Sequence, residues 1–272
     1  MTSSMTTPIA YEHKLIDLSN KPQDFIDKYS SAVNGGPFPQ VPLLEHHRTD
    51  HKEHVGDDGD GLVLITESIE VAKYVAEYVA PNDSMYPVED SEKLALIDEF
   101  LQIWENHVTP SYYKCLTATS EKSADHAQRN FILTLQDRLQ PILIKTHSLS
   151  GLSNEHGTGS HGNYGFLLGP TFSVAECVAA PWIQRFYFVL EHFRGIDFED
   201  DILVRLKTND NGKSSNNDDN QGNKNVVQTW MENVMQRRSV QQTECPHDEM
   251  AAAAMRYYVS YISPGSPASI VT

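Results

Sequence analysis

Two residue pairs in this sequence, Val41-Pro42 and Glu67-Ser68, combine types and order that could do chemistry. A residue directly before a proline is pushed toward extended backbone, which leaves the main chain of Val41 ready to pair with an extended, peptide-like ligand. Pro42 donates nothing to a ladder, so it suits the first position of a strand and tolerates a cis bond in a tight entry. Glu67 and Ser68 stand where a helical pattern opens, with Ile69, Ala72, Val75, Ala76 and Val79 at spacings of three and four. A helix start offers unpaired N–H groups and the positive end of its dipole, and a Ser hydroxyl among them completes a receptor for a carboxylate.

The elements that must position these pairs can be read around them. Val41-Pro42-Leu43-Leu44-Glu45 and Leu62-Val63-Leu64-Ile65-Thr66 are short apolar runs separated by turn formers, which predicts an antiparallel strand pair leading into the helix. Between them lie His46, His47, His51 and His54, with Asp57, Asp58 and Asp60 among glycines. Imidazoles and carboxylates together suit zinc or nickel, but without cysteines or helical spacing the stretch reads better as a solvated hairpin tip, and no metal site is assigned. Upstream, residues 1–10 read as a disordered tail and Tyr11 to Leu18 as a first strand. Asn20-Lys21-Pro22 ends that strand, Gln23 to Tyr29 forms a short helix with Pro22 near its first position, and residues 34–39 form a loop.

Beyond a linker over residues 83–90 the period changes to helical throughout. Leu94, Ile97, Leu101, Trp104 and Val108 mark a helix from Ser91 that Pro110 should end. Phe131, Leu135, Leu139 and Ile142 mark a second, from about Ser123 to Lys145, with Pro141 as a kink. Tyr112, Tyr113 and Cys115 cluster near the end of the first. No helix start or adjacent base lowers the pKa of Cys115, which argues against it as a nucleophile. Residues 148–163 and 207–225 are rich in Gly, Ser, Asn, Asp and His and read as inserted loops. Ser173 and Glu176 form a capping box whose role is folding, and a last helix runs from His247 to about Ile262, followed by a tail over 265–272.

Composition narrows the function. The 272 residues suffice for two modest domains, and 21 Lys+Arg against 37 Asp+Glu give a net charge of −16. That balance argues against nucleic acid or an anionic membrane as partner, since both reward cations. Three cysteines lie far apart without a CxxC pair, which suits a reducing cytoplasm rather than a disulfide framework. No apolar run approaches the roughly 20 residues of a membrane span.

Strand, proline, hairpin, Glu-Ser and helix in this order resemble the glutathione site of the glutathione transferase family, in its thioredoxin-like N-terminal domain. Two further stretches agree. Tyr164 to Trp182, with its Ser173–Glu176 box, resembles the capping-box helix at the centre of that family's helical domain, with Glu176 where the family commonly has Asp. Trp230 to Thr243 resembles its penultimate helix and the turn after it. Tyr11 to Pro22 resembles the second strand of the omega-like, cysteine-using branch, and the resemblance spans about residues 11–262.

The resemblance implies an α/β thioredoxin-like domain over 11–82, incomplete at its start, and an all-α domain over 91–264. It implies glutathione as co-substrate, its cysteinyl backbone on Val41 beside Pro42, its γ-glutamyl end on Glu67 and Ser68 and its glycyl carboxylate on Lys28. Tyr112 and Cys115 fall where the family shapes its pocket for an electrophile or disulfide substrate, and a homodimer is expected. The family's catalytic Tyr, Ser or Cys belongs to an opening strand and helix for which nothing upstream of Tyr11 is a counterpart. The expectation is therefore a truncated start or a degenerate member, with no catalytic residue assigned. The alternative function is a non-catalytic module of the same fold used for protein association.

Overall fold

Apolar residues three and four apart make most of this chain helical, and the computed structural model divides it into two compact units, residues 1–88 and 89–272. The structure describes residues 10–33, 38–47, 61–79, 85–149, 165–207 and 225–258, by backbone alone at 146–149 and 257–258. The hairpin tip from Arg48 to Asp60, most of both predicted inserted loops and the two chain ends lie outside these residues.

In the first unit, α1 (Gln23–Ala32) carries Phe25 and Tyr29 one turn apart, both buried, with ring centroids 6.2 Å from each other. Pro22 is its N-cap, at φ −61° and ψ 145°. Strands β1 (Leu43–His47) and β2 (Leu62–Thr66) pair antiparallel, with Leu43 opposite Thr66 and His47 opposite Leu62. Helices α1 and α2 (Ser68–Tyr74) both pack on β2, and α2 runs straight on into a wide π turn, Val75–Val79. His46 Nδ1 lies 2.9 Å from the Tyr74 hydroxyl, a hydrogen bond that holds α2 against β1.

The strand predicted over Tyr11–Leu18 does not form. The segment has no ladder partner among the described residues, and Tyr11 and Leu15 are each 87% exposed. Among the described residues the sheet has two strands, and alternation alone does not make a strand without a neighbour to pair with. The turn after it is present: Asp17 accepts from the Ser19 N–H at 2.9 Å and from the Ser19 hydroxyl at 2.6 Å.

In the second unit, α3 (Ser91–Ile103), α4 (Thr109–Leu116), α5 (Glu121–Thr134) and α6 (Gln140–Leu149) correct the reading of Pro110. Pro110 does not end the first helix, and Pro141 lies within a second that continues past it. Each follows a π turn, Trp104–Val108 and Leu135–Leu139, by two residues. A proline has no N–H for the carbonyl four residues back, and its ring crowds that carbonyl. Bonding five residues on, as the Thr109 N–H does to the Trp104 carbonyl and the Gln140 N–H to the Leu135 carbonyl, widens the turn and lets the helix pass. Ser148 and Leu149 belong to α6, so the insertion begins after them.

Helix α7 (Val174–Arg194) is the centre of this unit, followed by α8 (Val226–Gln236), α9 (Arg238–Gln242) and α10 (His247–Tyr258). Phe186 from α7 meets Trp104 at 5.9 Å and Phe131 at 5.2 Å, and Trp104 in turn meets Phe100 at 5.5 Å and Trp230 at 5.9 Å. All five rings are buried. Glu176 ties this core together. Its carboxylate, fully buried, accepts from the Leu167 N–H (2.6 Å), the Ser173 N–H and hydroxyl (2.8 Å each) and the Trp230 indole N–H (3.0 Å). Burial pushes this carboxyl up from its ordinary range, and the four donors pull the other way. The capping box is thus also a tether between the turn before α7 and α8. A Cβ on Gly165 would strike the backbone of Gly169 in that turn, so only glycine fits there. At the far end of α7, Gly195 supplies the left-handed cap at φ 60°.

Candidate functional site

The first candidate site lies at one end of the two-stranded ribbon. Because Leu43 pairs with Thr66, the residues just before β1 and just after β2, Val41-Pro42 and Glu67-Ser68, leave the ribbon at the same end. The Val41–Pro42 bond is cis, and Val41 is 48% exposed. Glu67 takes φ 67° and ψ 126°, a conformation that non-glycine residues avoid at a cost of about 1–3 kcal/mol. Its carbonyl accepts the Val71 N–H at 2.9 Å and so opens α2. Its carboxylate makes no capping bond, and both Glu67 and Ser68 are exposed. The first-turn N–H groups of α2 are therefore open to an anionic ligand, with a carboxylate and a hydroxyl beside them.

Lys28 is engaged elsewhere. Its ammonium lies 2.7 and 2.9 Å from the two oxygens of Glu45, and that hydrogen bond raises its pKa. Glu45 is the partner that sequence reasoning missed, since a helix and a strand 17 residues apart meet only in the fold. His46 and His47 are in β1, and the remainder of the histidine-rich stretch lies outside the described residues. Among the described residues no three metal-ligating side chains cluster.

The second candidate site is a cavity of about 660 Å³ within the helical unit, walled by α4, α7, α9 and α10. Tyr112 and Tyr113 line it together with Trp182, whose ring lies 5.9 and 5.6 Å from theirs, edge to face. The Arg185 guanidinium stands 4.8 Å from the Trp182 ring centroid, and Cys177 and Cys245 are also in the wall. Cys115 is not. It is fully buried beside the cavity wall, and burial pushes its thiol up to about 12. Burial also raises Cys177 to about 11 and, to a smaller degree, Cys245. Tyr112 is raised well above its usual value, so its hydroxyl stays protonated. Cys177, Pro181, Gln184 and Arg185 fall on one stripe of α7 at helical spacing, but nothing in the sequence says that this stripe faces a void.

No protein-family model matches the sequence, and no curated protein matches it. Among solved structures the chain is similar to glutathione transferase Omega 3C from Trametes versicolor, with a TM-score of 0.57 at 15% identity, over 92% of this chain and 81% of that one. The protein therefore has a glutathione transferase fold. It consists of a small α/β unit, reduced to two strands among the described residues, and a helical unit built on α7. Among the described residues no helix is long and apolar enough to cross a membrane.

Proposed function

We propose that this protein binds glutathione at the ribbon end and works as a glutathione transferase, conjugating the thiol to electrophiles or using it to reduce disulfides. The observation that carries this reading is the register. Leu43 opposite Thr66 puts an exposed main chain at Val41 and an open helix start at Glu67-Ser68 on the same end of one ribbon. A tripeptide needs that pairing of features, because its middle residue offers backbone donors and acceptors and its γ-glutamyl end offers a carboxylate and an ammonium. In this reading Val41 pairs with the cysteinyl backbone, Ser68 and the α2 amides receive the carboxylate, and Glu67 receives the ammonium. The Glu45 pairing leaves Lys28 a smaller part than the sequence suggested. The cavity holding Tyr112 receives the second substrate. The fold adds support, since the similar solved structure is a glutathione transferase.

One observation favours a second reading, a non-catalytic module that retains the binding site. All three cysteines lie in the helical unit with raised pKa, so none is an activated nucleophile. Calorimetric titration with glutathione, followed by turnover of a model aryl halide and of a glutathione mixed disulfide, separates the two. Binding with turnover supports the transferase, binding without turnover supports the module, and no binding removes both. Light scattering tests the expected homodimer.

A further inference from the structure

The cavity of the helical unit combines an apolar wall with a cationic side chain. Its wall is aromatic and apolar, with Tyr112, Tyr113, Trp182, Val189 and Met250, yet it contains one permanent cation and no carboxylate. Arg185 donates to the carbonyl of Pro181 at 3.3 Å and stacks on Trp182, and no described carboxylate lies within ion-pair distance of it. In a chain of net charge −16, a part-buried guanidinium with no carboxylate partner among the described residues is free to receive an anion. Tyr112, in the same wall, is near enough to feel its charge. The two together form a pair of donors set in an aromatic cleft.

We propose that this cavity selects small aromatic acids, with the ring against the apolar wall that Trp182 and Tyr113 form and the anionic group on the Arg185 guanidinium and the Tyr112 hydroxyl. The inference deepens the co-substrate role proposed for this cavity by naming its substrate class, and it depends on no feature of the ribbon end. The planar fork of Arg185 matches a carboxylate with two parallel bonds, and the low polarity of the wall strengthens both. Asp248 and Glu249 on α10 act on Cys245, as Arg185 does, but neither is in the wall.

The test is equilibrium dialysis of the full chain against 1-naphthoate and the neutral 1-naphthalenemethanol, which share a ring system and differ in charge. Naphthoate is expected to bind at least about tenfold more tightly, the worth of one charge-assisted hydrogen-bonded pair. Arg185→Met should bring the two affinities together by weakening naphthoate alone, and Tyr112→Phe should narrow the gap about threefold. Raising salt from 50 to 500 mM should weaken only naphthoate, and this arm needs no variant to fold. Equal binding of the two probes, binding of neither, or a preference that survives Arg185→Met overturns the inference. Glutathione titrated in parallel keeps the two proposals apart. Glutathione binding without acid preference removes this inference alone, and acid preference without glutathione binding removes only the reading of the ribbon end.

Discussion

The two units of this molecule build sites by opposite means. In the first, few of the described side chains are buried, and the candidate site is made of main chain: an exposed Val41, a Glu67 in a rare conformation and the first-turn amides of α2. In the second, a continuous aromatic core surrounds α7, and the candidate site is made of side chains whose ionisation is shifted by burial. The contrast teaches where stability and recognition each reside. The helical unit holds the carboxyl of Glu176 at the centre of its apolar core, while in the ribbon unit the register and one strained residue set the two candidate contacts at the same end.

Experiments can break this contrast, beginning with the largest effect. If burial governs the helical unit, Cys115 with its thiol near 12 should react with iodoacetamide at pH 8 about a thousandfold more slowly than a free thiol, because its thiolate is that much rarer. The sign is that of a raised acid, so the rate should climb with pH up to about 12; mass spectrometry showing rapid labelling of Cys115 near neutrality would remove the burial argument. Next, Glu176→Gln turns an amide N–H₂ toward donors and should cost about 3 kcal/mol in urea unfolding. A loss below about 1 kcal/mol would mean that the tether is dispensable.

Smaller effects sharpen the ribbon side. Ser68→Ala should weaken glutathione about fivefold by calorimetry, with the melting temperature nearly unchanged, since that hydroxyl bonds no described residue. Glu67→Gly should raise stability by up to about 1 kcal/mol, by removing the cost of φ 67°, while glutathione binding falls. Stability and binding moving together there would contradict the assignment of strain to the site. Smallest of all, Lys28→Met should change stability by less than about 1 kcal/mol, as expected of an exposed ion pair.

Much of this architecture was legible beforehand wherever one local rule dominated. The hairpin followed from two apolar runs, α2 from its spacing, and the α7 start from Ser173 and Glu176, because each signal lies within a few residues of what it specifies. Tyr11–Leu18 was misread because a strand is defined by a partner, and alternation says nothing about whether one is present. Pro110 was misread because the penalty of a missing N–H can be absorbed by a widened turn upstream, which residue type does not reveal.

By itself, then, the sequence determined the periodicities, the caps and the order of the two pairs at the ribbon end, all of which depend on neighbours along the chain. The tertiary structure alone decided that Lys28 meets Glu45, that Glu176 reaches Trp230 and that Arg185 stands in a cavity wall beside Tyr112. The reason is distance: hydrogen bonds, ion pairs and voids act over a few ångströms of space, and residues 17 to 73 positions apart come within that range only when helices and strands pack.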